Sequence, residues 1–374
     1  MIRAAQDLRI ERAEVWTLTL DRLTPFESAN ETVQRETHAL VALQAGGLTG
    51  WGEAPVPLAP LYLPETLATV LDALRHHLIP RLLDQRLGAP EDAAAAMAPV
   101  RGHVFAKHAL ETAALDLIAQ AEGCSLASIL GAERRHVPAG ATFGLPARAE
   151  DLFSSIDASL ESGHTRVKVK IAPGRDVSIL APLRDRYPDL SLTADGNSAY
   201  TLADADRLAD LDRFGLTMLE QPLGWDDFAD HAALQAKMKT PLALDESLMS
   251  PADLKTAVAL KACRAIVLKP AHVGGPWQAK QMHDLATAAG LPIMLGGMHD
   301  FCIARAANLA VAALPGCTVP GDIGGTDCYY ANDLVDPPLR MAANGMPVPE
   351  RAAISEAIVD RLAERCFTLS TADQ

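Results

Sequence analysis

The 374-residue chain has six cysteines, Cys124, Cys263, Cys302, Cys317, Cys328 and Cys366, but no C-x-x-C pair and no spacing of the kind that holds zinc. A chain this long needs no disulfide staples, so a reduced, cytoplasmic protein is the simplest expectation. No apolar run approaches the ~18 residues of a membrane span, and the start, MIRAAQDLRIERAEVW, has no uninterrupted apolar core of signal-peptide length. Nothing there indicates export. An excess of basic charge is missing too: 33 Lys and Arg stand against 47 Asp and Glu, a formal net charge of −14. That balance argues against nucleic acid or an anionic membrane surface as partner. It does not argue against a small acidic substrate, because local cations in a cleft outweigh the global field. What is present is 49% hydrophobic and 21% charged content, the composition of a soluble protein with a sizeable core. The length suits one large barrel plus a smaller domain.

Along the chain the hydrophobic period changes once. From Ile10 to about Glu53 apolar and polar residues alternate, with Gly46 and Gly47 between two runs as a hairpin signal. Helical spacing follows at Leu67, Val70, Leu71 and Leu74, and again in KHALETAALDLIAQAEG, which Gly123 ends as a C-cap. Strands followed by helices predict a separate α+β capping domain over 1–135. Beyond it, strand and helix alternate: HVPAGATFGL, HTRVKVKI, LSLTADGN, LTMLEQP, PLALDES, RAIVLKP, LPIMLGG and CTVPGDI are eight strand candidates separated by helical stretches. This rhythm predicts an α/β fold, a (β/α)₈ (TIM) barrel, over 136–323. The stretch 324–374 is polar and irregular and is expected to pack back on the first domain.

Several of these strands end in a charge. Asp195, Glu220 and Asp245 close the third, fourth and fifth, and successive acids are 25 residues apart. Strand ends at the carboxyl side are where such folds place chemistry, so three carboxylates should converge on one arc of the barrel mouth. They would repel one another unless a cation lay between them, and oxygen ligands without histidine or cysteine favour Mg²⁺. On the second strand the period of two puts Lys168 and Lys170 on one face and Val167, Val169 and Ile171 on the other. The branched residues should face the helices and the lysines the mouth, where burial requires that each be paired or have a lowered pKa. Lys269 ends the sixth strand, across the barrel. A carboxylate substrate between these lysines and the metal would suit removal of the proton α to its carboxylate, with the metal stabilising the enediolate and a lysine as base. A structural Lys269 or a Schiff-base lysine remains open, as does a barrel that binds a ligand without catalysis.

With these residues goes a series of motifs: PFES near Phe26, GWGEAP at Gly50, AKHALETAALDL at Ala106, K-x-K at Lys168 followed by IAPGRD, ADGNSAY at Ala194, LEQPL at Leu219, LDES at Leu244, LKP at Leu268, GGM at Gly296 and LPGCTVPGDI at Leu314. In them the chain resembles the enolase superfamily, in its muconate-lactonising branch, and most of all the group containing o-succinylbenzoate synthase and N-succinylamino acid racemase. The resemblance implies Lys170 and Lys269 as acid/base residues, Lys168 as electrostatic support, and Asp195, Glu220 and Asp245 as ligands of one Mg²⁺. It further implies that loops near Phe26 and Gly50 close over the substrate, which makes Phe26 a candidate contact; Trp51 is either a further contact or a loop and packing aromatic.

The chain departs from that group in places. KPAHVGG puts His272 where the group has an arginine near Lys269, and a neutral histidine would tune the lysine less than a fixed charge. This favours dehydration, in which Lys170 can serve alone and Lys269 only as a cation, over N-acylamino acid racemisation, in which both exchange protons. GGMHD brings an added imidazole, His299, and a shorter acid, Asp300, to the seventh strand end; His299 is a substrate contact, a proton carrier or a structural or solvated histidine, and Asp300 a further candidate beside the substrate. The group's G-x-G is absent from PVPERAAISEA. Asn197, two residues past Asp195, is expected to orient the metal site or simply to shape a turn. The expected partner is a small carboxylate, with no nucleic acid and no membrane, and the expected state a homo-oligomer.

Overall fold

The computed structural model describes residues 8–27, 32–335 and 337–373, so Ser28 of the PFES motif and the first seven residues lie outside them. The chain begins with three antiparallel strands, Ile10–Glu27, Thr32–Ala45 and Leu48–Ala54, in the order of the sequence. Gly46 and Gly47 join the last two with φ of +56° and +76°, the left-handed pair a two-residue hairpin turn requires. Residues Ala363–Ser370 return to the outer edge of this sheet and pair antiparallel with Ile10–Glu27. One face of the sheet packs on the long helix Val104–Glu122, which Gly123 ends at φ +66°. The approach is close because Gly50 and Gly52 have no side chain: a Cβ on Gly52 would collide with the Ala109 carbonyl, and one on Gly50 with that of Ala113.

Seven parallel strands follow in consecutive order: Gly140–Phe143, Arg166–Lys170, Leu192–Asp195, Met218–Glu220, Leu242–Leu244, Ala265–Leu268 and Ile293–Leu295. The eighth candidate forms no strand of its own. Pro320 offers no N–H, and the segment makes only isolated bridges, Val319 to Met294 on one side and Gly321 to Ala139 on the other. Those bridges still close the ring between the seventh strand and the first.

Alternation sorts the side chains of every strand. Val167, Val169 and Ile171 point outward and pack with Leu180, Leu183 and Leu208 of the surrounding helices. Met218, Ala243, Val267 and Met294 point inward as one small apolar cluster. Two residues beyond Met218, Ala243 and Val267, on the same face and one layer higher, stand Glu220, Asp245 and Lys269. The apolar plug is therefore the floor of the barrel, and the charges lie at its mouth. Local caps form where the sequence places them: Thr201 and Asp204 make a reciprocal capping box, and Ser250 accepts from the Asp253 N–H with Pro251 in the first turn.

The two parts of the chain are tied by Glu111 of the long helix. Its Oε1 accepts from the backbone N–H of Trp277 at 2.7 Å and of Gln278 at 3.3 Å, at the start of the barrel helix Pro276–Ala288. Gly275, at φ +145°, leaves the room this carboxyl fills. Burial raises the Glu111 carboxyl to about 8, against the pull of those two hydrogen bonds.

Two outcomes follow from this packing. Gly52→Ala should destabilise the protein by about 2 to 3 kcal/mol through the backbone collision. Gly47→Ala, at positive φ with open space around it, should cost only about 1 kcal/mol; urea unfolding midpoints will rank the two. Because the folded Glu111 holds its proton more tightly than the unfolded chain does, its contribution to stability falls as pH rises from about 4.5 to about 8. Unfolding curves across that range should show a flatter pH dependence in Glu111→Gln than in the wild type.

Candidate active site

Strand register brings the charged residues into one row. Lys170 lies opposite Asp195, and Asp195 opposite Glu220, on three adjacent strands. Asp245 follows the fifth strand, its N–H bonded to the Gln221 side chain at 2.9 Å. Lys168 and Lys170 are 3% and 8% exposed, Lys269 8%, and the three acids are buried. Of the two outcomes open to buried lysines, pairing is the one adopted here. Lys170 Nζ donates to Asp195 Oδ2 at 2.6 Å, Lys168 Nζ to both Glu220 oxygens at 2.9 and 3.0 Å, and Lys269 Nζ lies 2.7 Å from Asp245 Oδ2. Among the described residues no group of three His, Cys, Asp or Glu side chains is drawn together as a metal cluster; each acid is turned toward a lysine.

The electrostatics follow from burial and pairing. Burial alone would push Lys168 down, but Asp322, Glu220 and Asp195 hold it well above the ordinary lysine value. Lys269 is raised in the same way, with burial outweighed by Asp245, Glu246 and Glu220. Asp195 is raised by burial and more strongly lowered by Lys170 and Lys168. Glu220 goes the other way: burial and the adjacent Asp195 charge drive it well up despite Lys168.

These lysines line a cavity of about 230 Å³ between the barrel mouth and the first domain. Phe26 and Asn197 line it as well. Asn197, at φ +40°, donates its N–H to Asp195 Oδ1 at 2.9 Å and its side-chain amide to Glu246 Oε1 at 3.0 Å, so it orients both acids. His299 also lines the cavity, bonded to Glu36.

Three candidate contacts are placed elsewhere. Trp51 is buried against Trp16, ring centroids 5.4 Å apart, and the strand around Gly50 lies under the long helix; residues 55–58 and Tyr62 of the first domain face the cavity instead. Asp300 is buried behind it, accepting from the Met298 N–H at 3.1 Å and from Asn308 at 2.9 Å, and so shapes the turn that carries His299. His272 is buried with Nδ1 3.4 Å from Asp245 Oδ1 and Nε2 3.2 Å from the Met298 sulfur. Burial, reinforced by Lys269, lowers it to about 3, so it is a neutral ring and supplies no fixed charge beside Lys269.

Several site residues were not singled out from the sequence. Asp322 pairs with Lys168 and Arg166 and accepts from Thr142 at 2.8 Å. It ends the eighth strand segment, so the same strand-end rule that marks the other acids would have found it. Strict alternation would point Glu246 away from Asp245, and a twist at the strand end would bring it near; it is buried against Asn197 and raised to about 8 by burial and by the charges of Asp245 and Asp195. The fifth strand stops at Leu244, so alternation no longer applies two residues later. Tyr62 gave no signal: its hydroxyl lies 3.0 Å from Asp245 Oδ2 and 2.7 Å from Lys269 Nζ, a contact between domains.

A family model for the mandelate racemase / muconate lactonizing enzyme N-terminal domain matches residues 12–131, and one for the enolase C-terminal domain-like family matches residues 151–354. The chain is 38% identical over 335 residues to an o-succinylbenzoate synthase of Bacillus subtilis (strain 168), covering 89% of this chain and 90% of that protein. It is 40% identical over 347 residues to an N-succinylamino acid racemase of Thermus thermophilus, covering 93% and 94%. The crystal structure of an unknown member of the enolase superfamily from Enterococcus faecalis V583 is similar with a TM-score of 0.90 at 35% identity, covering 96% of this chain and 99% of that one. The chain belongs to the mandelate racemase / muconate lactonizing enzyme family, within the enolase superfamily of enzymes.

Proposed function

We propose that this enzyme removes the proton α to a carboxylate through an enediolate and expels a β-hydroxyl, the dehydration carried out by o-succinylbenzoate synthases. The observation that carries the proposal is the set of three lysines lining one cavity, each ammonium held on a carboxylate at another strand end of the mouth. The relatives named o-succinylbenzoate synthase support the substrate class.

Asp195, Glu220 and Asp245 suit one Mg²⁺. They are hard oxygen donors, Asp245 Oδ1 is buried with no hydrogen-bond partner among the described residues, and a cation would relieve the mutual repulsion that raises Glu220. When bound, the ion would stabilise the negative charge that develops on the substrate carboxylate.

The chain's own groups do the rest. Lys170, once it has given up its proton, takes the α-proton and becomes an ammonium again. The C–O bond to the β-hydroxyl then breaks, the electron pair leaves with oxygen, and Lys170 returns the proton so that water departs. Lys168, held cationic by Asp322, Glu220 and Asp195, supports the developing charge. Lys269 stays an ammonium on Asp245, and Tyr62 fixes its position from the other domain. Neutral His272 beside it supplies no fixed positive charge to lower Lys269, which favours Lys269 as a cation and so dehydration. A second reading, racemisation of N-succinylamino acids, draws on the presence of both Lys170 and Lys269 in the same cavity and on the relatives of that name. In either case the six cysteines, all unpaired, suit a reducing, cytoplasmic setting.

NMR in D₂O tests this with the o-succinylbenzoate precursor and a panel of N-succinyl and N-acetyl amino acids and dipeptides. With Mg²⁺ the wild type should exchange the α-proton and eliminate water from the precursor, and EDTA should stop both. Lys170→Ala should lower both by at least about 100-fold. Lys269→Ala should leave measurable elimination; if instead it abolishes exchange on one enantiomer of an amino acid substrate, the two-base racemase reading wins. Ligand binding without Mg²⁺ dependence and without exchange would mean a binding protein.

A further inference from the structure

On the Lys170 side, the cavity wall carries a pair of residues that the mechanism above leaves unused. His299 follows the seventh barrel strand; its Nδ1 lies 2.6 Å from Glu36 Oε1 and its ring stands edge-on to Phe26, centroids 4.9 Å apart. The same Phe26 ring lies 5.9 Å from Lys170 Nζ. Glu36 belongs to the first domain and is buried, whereas the His299 side chain keeps 30% exposure and lines the cavity. The backbone of His299 is held at φ +55°, which a non-glycine residue adopts only at a cost, and the Tyr330 hydroxyl donates to its carbonyl. A side chain kept in a cavity wall by a strained turn, a cross-domain carboxylate and an aromatic edge is an oriented one.

The orientation decides which nitrogen faces substrate. Burial pushes the Glu36 carboxyl up, but the hydrogen bond and charge of His299, with the charges of His38 and Arg22, hold it below the usual range, so it is ionised. An ionised carboxylate at this distance needs the proton on Nδ1. Burial also pushes the imidazole below its ordinary value, more than Glu36 raises it, with Arg22 and Lys170 adding to the fall. Near pH 7 the ring is neutral, and Nε2, on the side away from Glu36, carries a lone pair.

We propose that His299, oriented by Glu36, positions the leaving group: Nε2 accepts a hydrogen bond from the hydroxyl on the carbon β to the acidic C–H, on the Lys170 face of the cavity. This rests on the dehydration reading. A syn elimination needs the C–H and C–O bonds on one face, and an O–H directed at Nε2 leaves the oxygen lone pairs turned toward the Lys170 ammonium. When the C–O bond breaks, the proton that Lys170 took from carbon goes to that oxygen and leaves with water. His299 neither gains nor loses a proton. A racemisation substrate has no such hydroxyl and gives His299 nothing to hold.

The experiment compares His299→Leu, His299→Asn and Glu36→Gln with the wild type, in D₂O with Mg²⁺, and reads α-proton exchange and dehydrated product separately on the same β-hydroxy carboxylate. The ratio of elimination to exchange should fall about 10- to 100-fold in His299→Leu, recover in part in His299→Asn, which keeps an acceptor, and fall to an intermediate level in Glu36→Gln, which keeps the shape but frees the tautomer. Exchange and elimination falling together in all three would show that the pair only supports the cavity wall, and an unchanged ratio in His299→Leu and Glu36→Gln would equally overturn the proposal. A wild type that exchanges or racemises but eliminates from no β-hydroxy carboxylate would overturn the dehydration reading itself, and that result is in hand before any variant is made.

Discussion

Everything at the barrel mouth depends on keeping charge balance in a place nearly closed to water. Three lysines and a ring of carboxylates occupy the carboxyl ends of adjacent strands, where an isolated ion would be very costly to bury. Each ammonium therefore rests on at least one carboxylate, and Glu220, buried beside the Asp195 charge, is driven toward its neutral form. The same balance explains the residues around it. Asp322 secures Lys168 from the eighth segment, Asn197 spreads two acids apart through an N–H to each, and Arg166 beneath Lys168 is matched by Asp322 in turn. The proposed cation among the acids and carboxylate substrate among the lysines would keep that balance.

The floor below the charges is as much a part of the design as the charges. Met218, Ala243, Val267 and Met294 plug the barrel with apolar side chains, and the first three are followed on the same face, two positions further on, by Glu220, Asp245 and Lys269. The period of the strand thus carries both packing and chemistry. A one-residue slip of any strand would put a lysine or carboxylate against the outer helices and a branched aliphatic residue into the mouth.

The first domain contributes more than a cover. Tyr62 touches both Lys269 and Asp245, and Glu36 holds His299 on the opposite wall, so each side of the cavity is completed by a residue from across the domain boundary. Glu111, capping a barrel helix from the long helix of the first domain, fixes the two parts in register at a distance from the chemistry. His272 shows how little a replaced residue need disturb. It occupies a buried position beside Asp245 as a neutral ring and leaves Lys269 with Asp245 and Tyr62 as partners.

The sequence by itself determined the barrel, its strand order and the residues that face the mouth: alternation is a local rule, and Lys168, Lys170, Asp195, Glu220, Asp245 and Lys269 all lie on or directly after strands that obey it. It also marked the hairpin at Gly46 and the C-cap at Gly123, which depend only on neighbours in the chain. The placing of Asp300 was beyond its reach, and it left those of Trp51 and Glu246 open. Trp51 lies in a motif but is drawn under the long helix by Gly50 and Gly52; Asp300 turns back to bond the Met298 N–H; Glu246 lies past the end of its strand, where the period no longer holds. The partners of the site, Tyr62 with Lys269 and Glu36 with His299, are separated by 207 and 263 residues. No periodicity or spacing relates residues so far apart, and only the docking of one domain on the other brings them into contact.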